Sequence, residues 1–178
     1  MSKANNLVFK GLHIVAWVIF VGLCIEAGAL LVNFIISLFK PEVVKNLYQK
    51  LDLSQMYSQN KWAYFGMYGF VLTIAIMKAY LFYLVIKLTL KLNLSKPFNS
   101  IVCEQITQIS YATLFIGLLS HVARQTSKYL LHHGYEIDSL NPFWVDSEAF
   151  IMMAAVVYVI AIIFKKGIEI QNENDLTV

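Results

Sequence analysis

Four stretches of this chain are long and apolar enough to cross a bilayer, and that feature leaves few folds open. A membrane helix needs about 20 predominantly apolar residues to traverse roughly 30 Å of hydrocarbon. The stretches run over residues 11–39, 62–90, 106–123 and 144–164. Inside hydrocarbon every backbone polar group must be bonded within the protein, so isolated apolar stretches of this kind become helices. The expected fold is all-α, a four-helix transmembrane bundle in one integral membrane domain over 1–178, with a tail over 165–178. Charge supports this. Only 14% of the 178 residues are charged and 58% are hydrophobic, whereas a soluble domain carries about a quarter charged residues. The first stretch is too long for the short apolar core of a cleaved signal, so it reads as a retained span.

The third stretch is the least apolar, with Gln108, Ser110, Thr113 and Ser120 inside it. It should be shielded by the others, its polar groups bonded within the bundle. With four spans both termini lie on one face, the terminal face. That face carries Lys3, Lys10, Lys87, Lys91, Lys96, Lys165 and Lys166, against Lys40, Lys45, Lys50, Lys61, Arg124 and Lys128 on the opposite one. Short loops obey the positive-inside rule best, and the short, lysine-rich middle loop places both termini in the cytoplasm.

The two loops of the opposite face are longer. Val43, Val44, Leu47 and Leu51 fall on one helical face, which predicts a short amphipathic helix lying on the membrane surface. In the second loop Gly134 and Pro142 break the pattern, and Phe143 and Trp144 sit where an interfacial aromatic belt belongs.

Two charges fall near the middle of spans: Glu26 in the first and Lys78 in the second. Each costs at least ~2.5 kcal/mol there unless paired or neutral. An intramembrane Glu26–Lys78 pair would relieve both, and Glu26 held neutral by desolvation is a second escape. Such a pair can build a ligand, ion or proton site, or simply fix helix register.

Other polar residues point away from chemistry. His13 and His121 lie near opposite membrane faces, so they cannot be axial ligands at one depth, and no haem or other cofactor is expected. His121 and Arg124 read as interfacial anchors or as partners for acids of the last loop. His132 and His133, beside Glu136 and Asp138, are adjacent and point in different directions, so no metal site is expected. Cys24 and Cys103 give neither a disulfide framework nor a CxxC pair. No HExxH, P-loop, GxSxG or dinucleotide fingerprint occurs. The chain is not expected to be an enzyme. It has no basic run, so direct nucleic-acid binding is not expected either.

Two segments of the terminal face are distinctive. In the middle loop Pro97 disfavours helix at Lys96, Asn99 or Ser100 can cap the next helix, and Phe98 can dip into the interface. In the tail Gly167 can end or bend the fourth helix. Beyond it Glu169, Glu173 and Asp175 interleave with Ile168, Ile170 and Leu176. Residues 168–171 fit either a strand or a helix. An apolar end with a free carboxylate suits docking into a partner's groove or onto this protein's own loop. The docking candidates are Pro97, Phe98, Gly167, Gln171, Glu173, Asp175, Leu176 and Val178.

These segments, LNLSKPFNSIVCEQITQIS and FKKGIEIQNENDLTV, resemble the bacterial family catalogued as domain of unknown function 2975. The resemblance rests on Pro97 and Phe98 after the second span, and on Gly167, Gln171, Glu173, Asn174 and the closing Asp175, Leu176, Thr177 and Val178. Lys96 stands where the family often has glycine. The resemblance implies a small four-span protein of the bacterial cytoplasmic membrane, from a family without an established activity. Members are often encoded beside a small helix-turn-helix regulator of the Xre/Cro type, which implies such a regulator as partner. Two functions follow as expectations. One is a regulatory or interaction protein whose cytoplasmic loop and tail engage a soluble partner. The other is a small transporter subunit or lipophilic-ligand-binding protein using Glu26 and Lys78.

Overall fold

The computed structural model describes residues 3–48, 51–92 and 98–176, and the side chains within 8–48, 51–92 and 98–173. Five α-helices follow in order: α1 (Lys3–Phe39), α2 (Ser54–Gln59), α3 (Lys61–Lys91), α4 (Ser100–His132) and α5 (Ser147–Leu176). Short 3-10 turns cover Pro41–Lys45 and Asp138–Phe143. No strand occurs among the described residues. The chain is an all-α membrane protein: α1, α3, α4 and α5 are each long and apolar enough to cross a bilayer.

Local chemistry sets the helix ends. Asn60 caps α3 by accepting from the amides of Trp62 (2.9 Å) and Ala63 (3.4 Å). Asn99 caps α4 by accepting from Ile101 (2.9 Å). Both satisfy donors that have no partner inside the helix. At the far end of α4 the Tyr135 amide donates to Leu130 O and the Gly134 amide to Leu131 O. Gly134 has φ +83°, the left-handed residue that this paired closure requires.

The long helices pack in chain order: α1 on α3, α3 on α4, α4 on α5. Tyr64 Oη donates to Ser37 Oγ (2.9 Å) and Tyr68 Oη to Leu30 O (2.9 Å). A hydrogen bond joins His13 Nδ1 and Thr89 Oγ1 (2.8 Å). These bonds pin α1 antiparallel to α3 at both ends. The least apolar span is indeed the most shielded. Half of the most apolar window of α4 is buried, against 17% for the outermost helices α1 and α5. Two of its mid-span hydroxyls bond inside the protein: Ser110 to Ala154 O (2.9 Å) and Thr113 to Ile109 O (2.7 Å).

The α4–α5 contact is a seam of small residues. Cys103, Ser110 and Gly117 recur every seven residues on α4, and Ser147, Ala154 and Ala161 do so on α5. Seven-residue spacing keeps one stripe facing the partner, and small side chains let two backbones approach closely without a solvent-driven force. A Cβ on Gly117 would lie 2.7 Å from Ile151 Cγ1 and 2.9 Å from Ile151 N. Backbone cannot give way as a side-chain tip can, so this position accepts only glycine.

The loops opposite the terminal face depart from expectation. The described residues of the first loop form a five-residue 3-10 turn, Pro41–Lys45, and the six-residue α2, in place of one surface helix carrying Val43, Val44, Leu47 and Leu51. Phe143 and Trp144 are buried and form no interfacial belt. Both loops fold over the helix ends as a cap, with Val44, Leu47, Leu51, Leu53, Met56, Ile137, Leu140 and Trp144 in one buried cluster. The periodicity that suggested a membrane-facing stripe recorded burial against the second loop. Gln55 ties the loops together, its amide donating to Gly134 O (3.3 Å) and its carbonyl accepting from the Glu136 amide (2.8 Å). Apolar surface from two loops removed from water jointly is worth more than either partly immersed in headgroups.

Candidate functional site

At the terminal face the cap on α4 throws the preceding residue, Phe98, onto α5. A Cβ on Gly167 would run into the Phe98 ring, at Cδ1 and at Cε1 (2.5 Å). The ring also lies 5.5 Å, centroid to centroid, from Phe164. Glycine inside a helix costs up to ~1 kcal/mol relative to alanine. Here the missing Cβ is the space that the Phe98 ring occupies. The middle loop and the tail, two segments singled out from sequence, are thus brought together by one ring on one glycine.

Gly167 neither ends nor breaks α5, which continues for nine residues to Leu176. At 1.5 Å per residue this carries the helix ~13 Å past the Phe98 contact. The stretch 168–171 is therefore helical. Lys166 and Glu169 pair within it, Ile168 and Gln171 are half-buried, and Ile170 and Glu173 are exposed. Pro97, Lys96 and Val178 lie outside the described residues, as do the side chains of Asp175 and Leu176.

Glu26 and Lys78, both half-buried, are not brought into an ion pair. Ion pairs form instead at Arg124–Glu148 and Lys166–Glu169. Lys78 instead extends its ammonium over the Phe150 ring, 5.9 Å from the centroid, an attraction of about 0.5–2 kcal/mol depending on desolvation. Phe150 is in the first turns of α5, two residues from Glu148, which pairs with Arg124. Lys78 therefore sits near the loop-face end of α5, where a long side chain can reach toward polar groups. Leu81, Phe82 and Val85, at i+3, i+4 and i+7 from Lys78, line an apolar cavity of about 280 Å³ against Ile109 and Phe150. Lys78 does not line that cavity, but its ammonium reaches Phe150, which does.

The remaining polar residues sort simply. Arg124 finds its acid in Glu148 (2.5 Å). His133 Nδ1 bonds Tyr129 O (2.8 Å) and its ring rests on Tyr129. A polar cleft of about 240 Å³ on the cap includes Asp52, Glu136 and Asp138. Asp52 accepts from the Ser54 amide (2.9 Å), which holds its carboxyl below the usual range. No cluster of three metal-ligating side chains occurs among the described residues. The sequence reading missed the Phe98–Gly167 contact and the Gly117 seam. The second had a visible signal in the seven-residue spacing of small residues. The first had only a glycine inside a helical run.

Serial apolar helices and a small-residue seam between the last two define a multi-pass α-helical membrane protein. Within that class the chain belongs to the family described as Protein of unknown function (DUF2975), whose model matches residues 45–178. The match takes in the middle loop, the tail, Lys78 and both loops' cap residues from Lys45 onward. No curated protein and no solved structure was found to match the chain.

Proposed function

We propose that this protein is a membrane-anchored interaction protein that holds or releases a soluble partner at its terminal face. It would sit in a bacterial cytoplasmic membrane with both termini in the cytoplasm. The observation that carries the reading is the Phe98–Gly167 contact, which makes the middle loop and the projecting end of α5 one surface. Glu169 and Glu173 give that helix an acidic character, which suits a basic partner surface. The family resemblance makes a helix-turn-helix regulator of the Xre/Cro type the first candidate. Co-purification of the neighbouring regulator with the full chain, against a chain ending at Lys166, tests this. Recovery should fall at least tenfold with the shorter chain; equal recovery contradicts tail docking.

The cavity beside Lys78 favours a second reading, a lipophilic ligand whose acidic end meets the ammonium. Lys78→Met should then abolish retention of a lipophilic acid while the bundle stays folded. Unchanged retention removes this reading.

A further inference from the structure

At the terminal-face end of α1 and α3 a cavity of about 310 Å³ is lined by Phe9, Lys10, His13, Ile14, Thr89 and Leu90. Its polar floor is internally closed. Trp17 Nε1–H donates to His13 Nε2 (3.1 Å), which leaves the imidazole proton on Nδ1. That proton goes to Thr89 Oγ1 (2.8 Å), whose own hydroxyl donates to Ile86 O (2.8 Å). The floor therefore has no spare donor to offer a guest, and the charge available there is cationic.

Spacing sets the walls. Lys10, His13, Trp17 and Phe20 fall at i, i+3, i+7 and i+10 on one face of α1. Tyr83, Lys87 and Leu90 fall at i, i+4 and i+7 on one face of α3. Residues at such spacing share a helix face. The two faces meet: the Phe20 and Tyr83 rings are 6.4 Å apart, and Trp17 packs edge-on to Phe20 at 5.7 Å. Lys10 lines the cavity, and Lys87 lies on the Tyr83–Leu90 face beside it, so the meeting faces carry two lysines toward the membrane surface and an aromatic track toward the bilayer interior. Neither lysine has an acidic partner among the described residues. Nearby acids are engaged elsewhere, Glu104 with Gln108 and Glu169 with Lys166.

We propose that this groove binds one anionic glycerophospholipid from the leaflet at the terminal face. Its phosphate would lie between Lys10 and Lys87 and an acyl chain along Trp17, Phe20 and Tyr83. Two features select this occupant over a soluble anion. The groove has an apolar wall that a free phosphate cannot use, and basic sites between membrane helices at the surface hold anionic headgroups at about a fivefold gain in affinity per lysine. A zwitterionic lipid brings its own ammonium and loses that advantage.

The test uses the full chain in detergent, followed by native mass spectrometry while phosphatidylglycerol, phosphatidylcholine or inorganic phosphate is titrated. Phosphatidylglycerol should bind at least tenfold more tightly than phosphatidylcholine, and excess phosphate should not displace it. The Lys10→Gln/Lys87→Gln double variant should bind it roughly twenty-five-fold more weakly. The arginine double variant should restore binding, and Lys40→Gln/Lys128→Gln at the opposite face should leave it unchanged. Equal binding of both lipids overturns the proposal. So does displacement by phosphate, an unaffected Lys10/Lys87 variant, or an equal loss in the Lys40/Lys128 control.

Discussion

The two ends of this molecule are built on opposite principles. At the loop face, two long connections bury their apolar residues against each other and against the ends of α1, α3 and α4, making a closed cap around Met56, Leu140 and Trp144. At the terminal face, one ring on one glycine joins the loop to α5, and the helix then runs on beyond it. A closed end resists change and contributes stability. An open end held by one apolar latch contributes little stability. The comparison places structural work at the loop face and leaves the terminal face for the interaction proposed above.

The largest expected effect is at the cap. Trp144→Ala should destabilise the protein by about 3–5 kcal/mol, as emptying a buried aromatic site does, read as a drop in the melting temperature in detergent. Trp144→Phe should cost much less, because the buried indole N–H has no hydrogen-bond partner and loses nothing when removed. A cap that tolerates alanine would break the comparison. Next comes Gln55→Ala, which unpairs Gly134 O and the Glu136 amide. It should cost about 1–2 kcal/mol, seen as faster amide exchange in both loops together rather than in one.

Gly167→Ala should be nearly neutral in melting temperature, since alanine's helix propensity, worth up to ~1 kcal/mol, offsets the lost ring contact. Its signature is local: Phe98 must leave α5, so proteolysis in the middle loop should accelerate. A melting temperature lowered by as much as in Trp144→Ala would mean that the terminal face is structural after all. The smallest effect is a pH dependence. The Asp52 carboxyl is held below its ordinary value near 3.8 by the Ser54 amide. Its contribution to stability is therefore present above that value and lost as pH falls through the lower folded one. Protection of the Ser54 amide should decline only in that acidic window, and Asp52→Asn should remove the dependence.

The spans were legible because length and hydropathy answer to the bilayer alone. The shielding of α4 was legible from its hydroxyls, and its cap from Asn99. The cap over the loop face was not. Val44 and Trp144 lie far apart in the chain, and periodicity reports that a residue is buried without saying against what. The same pattern served for a membrane-surface helix and for a protein core. Glu26 and Lys78 were legible as intramembrane charges, but the direction of Lys78 depended on Leu81, Phe82 and Val85 facing α5. The Phe98–Gly167 contact joins an isolated aromatic to an isolated glycine, and neither residue type announces the other.

Amide hydrogen exchange on the full chain in a lipid nanodisc tests the contrast between the two ends most directly. Amides of Met56, Leu140 and Trp144 should exchange only on the timescale of global unfolding, while those over 169–173 should exchange orders of magnitude faster. Equal protection at the two ends, or a tail slower than the cap, would contradict the account.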